Sequence, residues 1–363
     1  MKTCLISIVI FFLSCIAFNS CKTAVGKGDD GNILDFTLDD FREMNLSGVE
    51  RRVITDDPDL VGKAREIRIV NDSIVLIRQH SPSLVSFYYI GSGRSGTAIT
   101  QGGGSLEMSM VGNMYAEDEG KLWVFGVDDM KVMKLTFIPG NEKPYDSEYV
   151  AKAPCPSLRG VALSDSLFMT LPAVADGQRL LIFDRDRNPV DTLGVFPEVN
   201  KNEGVVLHNL VFQSDIDYDK GNGHAVLANR SWNQIEIYDI NDGEVIARRG
   251  PIEVRSEIKD DSSSGMNRMS QIPLWFIYDG ICAGPSTFVV GYIGIEVKEE
   301  KDFDRHIGRL LEFDWAGNPL RSYRLPDEIM AFDIDFKNGR LYTIENCPEP
   351  SVVCYDVKQF FQK

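Results

Sequence analysis

The sequence predicts an all-β protein made of one repeated four-stranded unit. A short string recurs along the chain: alternating apolar residues, then an aromatic residue followed by Asp, then a turn. The copies are QRLLIFDRDRNPVDTL (Gln178–Leu193), NQIEIYDINDGEVIAR (Asn233–Arg248), RLLEFDWAGNPLRSYRL (Arg309–Leu325) and SVVCYDVKQFF (Ser351–Phe361). The apolar residues repeat every second position rather than every 3.6, which indicates strands.

A second apolar run precedes each copy and also occurs twice nearer the N-terminus. These runs are DSIVLIRQ (Asp72–Gln79), GKLWVFG (Gly120–Gly126), DSLFMTL (Asp165–Leu171), HAVLANR (His224–Arg230), STFVVGYIG (Ser286–Gly294) and GRLYTIE (Gly339–Glu345). A third run lies one turn further upstream and ends in Asp, Asn or Gly, which favour hairpin turns. A fourth run often follows the aromatic-Asp string.

About six such units recur at a spacing of roughly 45–65 residues, which is typical of propellers. Stacking four-stranded sheets face to face around a ring buries their faces and protects their edges. The sequence therefore predicts a six-bladed β-propeller of four-stranded antiparallel blades. After the first twenty residues, only LDDFREMNL has a spacing that suggests a helix.

The two ends of the chain predict how the ring closes. The last copy ends after its third strand, whereas Ser47–Thr55 is a strand-like run that precedes the first unit. We expect Ser47–Thr55 to supply the outer strand of the last blade.

The N-terminus has the pattern of an export signal. Lys2 is followed by an apolar run from Leu5 to Ala17, which is too short to span a bilayer. Phe18-Asn19-Ser20-Cys21 then resembles a bacterial lipobox, so Cys21 is the predicted lipid anchor; a soluble export signal is the alternative. We predict a signal peptide (1–20), a flexible tether (21–34) and one propeller domain (35–363), on a protein exported and lipid-anchored to the bacterial outer membrane, facing the periplasm or the surface.

The chain resembles the TolB-like six-bladed propeller lipoproteins of Bacteroides-type bacteria. The resemblance rests on the lipobox, on the aromatic-Asp strand and on the hairpin FDIDFKNGRLY (Phe332–Tyr342), and it covers essentially the whole mature chain. It implies a propeller located in the cell envelope. It transfers no catalytic residues.

The formal net charge of −16 argues against nucleic acid as a partner, because an acidic surface repels phosphate backbones. It also disfavours a polybasic mode of membrane binding. We therefore expect contact with the membrane through the N-terminal lipid only.

Two motifs imitate ligand loops. GSGRSG (Gly91–Gly96) matches a dinucleotide pattern, but the residues after it do not predict the helix that this site needs. DIDYDKGNG (Asp215–Gly223) resembles the start of a calcium loop, but Lys220 stands where the loop requires Gly. We read the first stretch as a glycine-rich turn between blade strands. The second is read as blade structure, because Asp215-Ile216-Asp217 sits where Asp333-Ile334-Asp335 sits in the last unit. We expect no cofactor, with calcium as the alternative.

The cysteines and histidines show no metal-binding or redox spacing. For Cys155, Cys282, Cys347 and Cys354 we expect buried free thiols. We place Cys354 nearer Ile344 than Cys347, which argues against a bridge between the last two.

The candidate ligand-binding residues lie in loops that blade order gathers at one end of the ring. They are Arg78, His80, Asp128, Asp129, Arg159, His208, Asn209, Arg230, Trp232, Tyr292, Glu345 and Asn346. Arginine pairs well with carboxylates, and aromatic rings stack on sugars and peptides.

These features favour a non-catalytic binding module that holds a protein, peptide or glycan at one face of the propeller. The alternative is a metal-dependent hydrolase or lactonase with a site in the central channel, for which Asn113, Asn209 and Asp333 are conceivable ligands. A purely structural scaffold is a third hypothesis, and it predicts a large apolar patch outside the channel.

Overall fold

The computed structural model describes residues 33–80, 82–117, 120–138, 144–173, 178–196, 212–254, 257–261, 268–299, 306–346 and 349–361. Over these ranges the chain is mostly β-strand. Its described helices are α1 (Pro58–Val61), α2 (Lys358–Phe361) and one 3₁₀ helix (Leu38–Asp40). Over the same ranges, no helix has the length and apolar character that a membrane crossing requires.

Four blades are separate antiparallel sheets in which the first strand is innermost. Blade 1 contains β4 (Ala64–Val70), β5 (Ile74–Gln79), β6 (Ser83–Tyr89) and β7 (Ser95–Thr100). Blade 2 contains β8 (Val111–Glu117), β9 (Lys121–Gly126), β10 (Lys131–Phe137) and β11 (Tyr145–Lys152). Blade 3 contains β12 (Ser157–Ala162), β13 (Leu167–Pro172), β14 (Gln178–Asp184) and β15 (Pro189–Val195). Blade 4 contains β16 (Ser214–Asp219), β17 (His224–Asn229), β18 (Gln234–Asp239) and β19 (Val245–Arg249).

Blades 5 and 6 share one long strand and therefore form a single eight-stranded sheet. Blade 5 contains β22 (Trp275–Ala283), β23 (Thr287–Glu296), β24 (Ile307–Asp314) and the first part of β25 (Pro319–Asp335). Blade 6 begins with the last part of β25 and continues with β26 (Arg340–Glu345), β27 (Ser351–Asp356) and β3 (Arg51–Thr55). A separate hairpin of β20 (Glu257–Asp261) and β21 (Arg268–Ile272) lies between blades 4 and 5 in the chain.

The inner strands form a closed ring. Each contacts the inner strand of the next blade, in the order β4, β8, β12, β16, β22, β25 and back to β4. The predicted six-bladed propeller is thus confirmed. The predicted closure is confirmed as well, because β3 pairs antiparallel with β27, with Val353 opposite Val53.

The residues before β3 add two further strands to the outer edges of the ring. β1 (Ile33–Asp35) lies parallel to β19 of blade 4, and β2 (Arg42–Asn45) lies parallel to the first part of β25. Between them, Phe36 and Phe41 pack edge-on against Phe313, with ring centroids 5.2 and 5.1 Å away. We call residues 33–55 the N-terminal strap, because it contacts blades 4, 5 and 6 in turn.

The strap differs from the sequence predictions in two respects. LDDFREMNL forms a 3₁₀ turn followed by β2 rather than an α-helix, because its backbone groups pair with the open edge of β25. The last two residues of the predicted tether, Ile33 and Leu34, belong to β1 for the same reason, since β19 offers them an unpaired edge.

Apolar side chains fill the space between neighbouring blades. Trp123 of blade 2 meets Phe168 of blade 3 edge-on at 5.5 Å, and Phe168 lies 5.5 Å from Phe183. Gly160 sits where the two blades approach most closely, because a Cβ there would lie 2.5 Å from the ring of Phe125. This position of β12 therefore requires glycine, because no side chain fits between the two blades here.

Three of the four cysteines after Cys21 are described, and all three are free thiols. Cys282 and Cys354 are buried, whereas Cys155 is half-buried. Cys354 pairs with Tyr342 rather than standing near Ile344, since the register places Ile344 opposite Val352. Cys347 lies outside the described residues.

We predict that Arg51→Ala destabilises the closing blade. Arg51 of β3 donates to Glu345 at 2.5 Å, and the fully buried Glu345 side chain also accepts from Tyr355 Oη at 2.5 Å. Removing the cation leaves a buried carboxylate without its counter-charge, which should lower the free energy of unfolding by about 2 kcal/mol. The measurement is urea unfolding followed by circular dichroism.

The matched control is Arg52→Ala on the same strand, whose exposed side chain should be worth less than about 0.5 kcal/mol. Equal destabilisation by the two variants would contradict a specific role for the Arg51–Glu345 pair.

Candidate functional site

A cavity opens at the centre of the ring, at the end where the inner strands begin and the second strands finish. It is a small, open depression, and the figure of about 440 Å³ for the empty space around its lining residues includes open solvent at the entrance. Polar residues from five blades line it: Arg65, Glu66, Arg68, Arg78, Asn113, Arg159, Asp215, Arg230 and Asp279. Sequence-distant residues therefore share one rim, as a propeller requires.

Asp215 on β16 is the centre of the ion-pair network at this mouth. Its carboxylate accepts from Arg159 Nε at 3.1 Å and from Arg230 Nη2 at 3.0 Å. Arg230 Nη2 also donates to Asp279 Oδ1 at 2.7 Å. The network links blades 3, 4 and 5 and excludes most solvent from these charges, because the Asp215 side chain is only 12% exposed.

A second pair closes the mouth on the side of blade 1. Arg78 Nε donates to Glu66 Oε2 at 2.8 Å across the β4–β5 hairpin. The other oxygen of Glu66 accepts from the backbone N–H of Met114 on blade 2 at 3.1 Å. Glu66 therefore pairs with an arginine at the mouth of the cavity and also joins blade 1 to blade 2.

Arg68 lies one layer deeper, on the axis of the ring. Its Nη1 is 3.4 Å from both Asp217 Oδ2 and Asp333 Oδ1, and it donates to the carbonyl of Ile281 at 3.0 Å. The side chain is 8% exposed. One guanidinium thus contacts residues of blades 4, 5 and 6 from its place on blade 1.

A common geometry joins neighbouring blades at the hub: a side chain on one inner strand accepts from a backbone N–H of the next. The acceptor and donor pairs are Glu66 and Met114, Asn113 and Gly160, Asp215 and Gly280, Asp217 and Ala283, Cys282 and Ile334, and Asp333 and Ile69. Their distances run from 2.6 Å at Asp333 to 3.3 Å at the Cys282 thiol. Between blades 3 and 4 the link is instead the Arg159–Asp215 ion pair.

These contacts move the pKa values of the acids in opposite directions. Burial raises the pKa of Asp215, but Arg230 and Arg159 together outweigh it and hold that pKa well below its ordinary value. Burial also raises the pKa of Asp217, and there the attraction of Arg68 offsets only part of the effect, so the pKa lies at about 6.

The arginines of the mouth also differ from one another. Burial, followed by repulsion from Arg230, lowers the pKa of Arg159 to about 10, and the attraction of Asp215 offsets only part of this effect. Burial also opposes the charge on Arg230, but Asp215 and Asp279 outweigh it and raise the pKa of Arg230. Arg159 is therefore the less well neutralised of the two cations.

Three of the predicted site residues, Arg78, Arg159 and Arg230, come together in this cavity. His80 lies two residues after Arg78 and is exposed; partial burial and the nearby Arg65 and Arg78 lower its pKa. His208 and Asn209 lie outside the described residues.

The other predicted site residues do not line the cavity. Trp232 packs against Phe212 at 5.7 Å, and Tyr292 is 9% exposed and packs in the blade 5 core. Asp129 accepts from the backbone N–H of Ser109, while Asp128 is exposed in the same turn.

The two candidates on blade 6 are also away from the cavity. Glu345 on β26 pairs with Arg51 on β3 inside the last blade, and Asn346, which follows Glu345, is half-buried. Loop position alone did not distinguish these residues from those that face the axis.

Two of the three candidate metal ligands of the hydrolase alternative have other partners. Asn113 exchanges two hydrogen bonds of 2.9 Å with the backbone of Gly160, and Asp333 contacts Ile69 and Arg68. The third, Asn209, is not among the described residues. Within the described ranges, no group of three or more His, Cys, Asp and Glu side chains is arranged to hold a metal.

The Asp-x-Asp repeat is confirmed as blade structure, but with a different alignment. Asp217 is the counterpart of Asp333, because both accept from the backbone of the following blade. Asp219 is the counterpart of Asp335, because both accept from an Asn backbone N–H in the hairpin turn, at 2.9 and 3.0 Å. Asp215 is thus an additional acid at the mouth.

Glu66, Arg68, Asp215 and Asp279 were not predicted as site residues. They lie within or beside inner strands, where alternation predicts apolar residues for a buried face. The available signal was their charge at positions predicted to be buried, since ionised groups there need partners.

The fold and the hub place the chain in a known class, the six-bladed propellers. Residues 66–337 match the model of a family described as TolB-like 6-blade propeller-like, and the chain belongs to that family. No curated protein matches the chain significantly.

Two solved structures from Bacteroides are similar to the chain. One is a protein of Bacteroides fragilis NCTC 9343 whose name describes it as exported, with a TM-score of 0.55 at 14% identity, covering 89% of this chain and 98% of that one. The other is a protein of unknown function from Bacteroides thetaiotaomicron VPI-5482, with a TM-score of 0.50 at 11% identity, covering 85% of this chain and 72% of that one. At these identities the likeness extends to the fold alone.

We predict that Asp215→Asn strongly destabilises the propeller. The substitution leaves Arg159 and Arg230 buried with too little negative charge, and breaking a buried ion pair in this way costs about 3–5 kcal/mol. Denaturant unfolding gives the difference. The exposed turn residue Asp242, changed to Asn, is the control and should stay within about 0.5 kcal/mol of the unmodified chain. A loss of less than about 1 kcal/mol in Asp215→Asn would show that the network is not central to stability.

We predict that Asp217 makes stability fall as pH rises from about 4 to about 6. Its pKa is raised in the folded protein, so the folded state holds a proton that the unfolded chain has already lost. The stabilising contribution is complete below the unfolded pKa and disappears as pH passes the folded value. Relative to Asp217→Asn, the unmodified protein should lose roughly 3 kcal/mol over this interval.

The measurement is the free energy of unfolding of both proteins at several pH values from 3.5 to 7.5. The other acids titrate equally in the unmodified protein and in the variant. Only the difference between the two unfolding free energies therefore reports on Asp217. Two parallel curves would show that Asp217 titrates normally.

Proposed function

We propose that this chain is a non-catalytic binding module of the cell envelope, which holds a protein, peptide or glycan at the face where the cavity opens. One observation carries the proposal: Arg78, Arg159 and Arg230, from three different blades, line one solvent-open cavity. Concave sites with a few converging polar groups are the usual location of ligands.

The acid–arginine network keeps this mouth preorganised. Asp215 and Asp279 fix the guanidinium of Arg230, and Glu66 fixes that of Arg78, so little side-chain freedom is lost when a ligand binds. Positive charge here also contrasts with the acidic chain as a whole, whose net charge is −16.

The membrane end of the proposed module is its N-terminus. We propose export by the signal at residues 1–20 and lipid attachment at Cys21. β1 runs parallel to β19, and β19 runs toward the cavity face, so the chain enters the fold from the opposite side. A lipid-held propeller would therefore present its cavity away from the membrane.

The metal-dependent hydrolase alternative is less well supported. Asn113 and Asp333 would have to give up hydrogen bonds that join the blades before they could bind a metal. The carboxylates at the mouth are already paired with arginines, which compete with a cation for the same oxygens.

The test is site-specific photo-crosslinking in cells of the source organism. A benzophenone amino acid replaces His80 beside the cavity or, as a control, Asp186 in the exposed turn on the opposite face. We predict ultraviolet-dependent adducts from position 80 that Arg159→Lys weakens, and none from position 186. Adducts confined to position 186, or absent from both positions, would contradict the proposal.

A further inference from the structure

The charges that face the cavity do not cancel. Five arginines line it against three carboxylates. Arg68 is more than neutralised from below by Asp217 and Asp333, whose oxygens also accept from the backbone of neighbouring strands. Four arginines and three acids then remain at the mouth, and the two acids beneath carry one negative charge more than Arg68 offsets. The five arginines and five acids therefore balance as a whole, but the arginines outnumber the acids at the mouth, where an anion would enter.

The guanidinium groups retain unused donors. Among described residues, acceptors reach Nε and Nη1 of Arg159, Nε and Nη2 of Arg230, and Nε alone of Arg78. Each of the three side chains is therefore left with a nitrogen that has no acceptor in the described part of the chain. A carboxylate suits such donors, because its two oxygens can accept charge-assisted hydrogen bonds from several of these nitrogens at once.

Part of the cavity lining is apolar. Blades 4, 5 and 6 contribute Ile216, Ile281, Ile307, Met330, Ala331 and Phe332 to the lining. Four of these, Ile216, Ile281, Ile307 and Phe332, are less than 5% exposed. A ligand in this space meets both hydrogen-bond donors and hydrocarbon.

We infer that the cavity binds a monocarboxylate whose charged end lies against Arg78, Arg159 and Arg230 and whose apolar body lies over Met330, the partly exposed member of the apolar lining. This inference rests on the proposed function and narrows it to one ligand chemistry. Two sources supply that chemistry: a free carboxylic acid with an apolar group, and the C-terminus of a peptide that ends in an apolar residue.

The experiment is isothermal titration of the full mature chain at low ionic strength with four probes. These are N-acetyl-leucine, N-acetyl-leucinamide, N-acetylglycine and the peptide acetyl-Ala-Ala-Leu with a free carboxylate. N-acetyl-leucinamide lacks the negative charge, so it should bind at least tenfold more weakly than N-acetyl-leucine. Losing the apolar side chain should weaken binding by about tenfold as well. Tighter binding of the peptide than of N-acetyl-leucine supports the peptide source, and equal binding supports the free acid.

Two variants locate the site. Arg65→Ala removes an exposed arginine of the rim, so it tests the positive field without disturbing the buried network. Arg159→Lys keeps the charge but removes the guanidinium Nη2 that has no acceptor in the described part of the chain, and thermal melting verifies that it folds. Both variants should weaken the binding of N-acetyl-leucine several-fold. Lys337→Ala, in an exposed turn on the opposite face, should leave it unchanged. Equal affinity for the acid and the amide, or no binding of any probe, would overturn the inference.

The photo-crosslink at position 80 separates this failure from failure of the proposed function. If adducts form there but N-acetyl-leucine does not compete better than its amide, the face binds a ligand of other chemistry. If no adducts form, the binding face itself is wrong.

Discussion

The structure depends on how six sheet edges are satisfied where they meet. Each inner strand leaves backbone N–H groups unpaired toward the axis, and burying them without partners would be unfavourable. Side chains of the preceding blade solve this at five of the six joints, as at Glu66 and Met114 or Asp333 and Ile69. The same contacts that satisfy the edges also set the spacing of the blades. Closing the ring therefore also makes the hub rigid.

Carboxylates used in this way bring negative charge into the interior and therefore need cations close by. Arg68 supplies one on the axis, and Arg78, Arg159 and Arg230 supply others toward one end of the ring. These three occupy the mouth because the second strands and the first strands both have an end there. The cationic cavity is thus a consequence of the way the hub is held together.

The sequence determined the blades far better than the site. Strand alternation and the aromatic-Asp string are local signals, and β3 could be assigned to the last blade because it had no unit of its own. The rim position of Arg78, Arg159 and Arg230 followed from blade order alone. Which side chains face the axis depends on strand register and on interblade contacts, so Asp215 and Asp279 were missed, and Glu345 was placed at the rim although its carboxylate lies against Arg51.

The N-terminal strap closes the ring by pairing strands that lie far apart in the sequence. Blade 6 lacks its outer strand until β3 joins β27, and these two strands are separated by almost the entire fold. Such non-local pairing is entropically costly to form and becomes favourable only when the intervening blades are in place. β1 and β2 pair on the way with the outer edges of blades 4 and 5, and Phe36 and Phe41 pack on Phe313 between them. The strap therefore covers edges that would otherwise be open to other chains, and it aligns β3 with its partner.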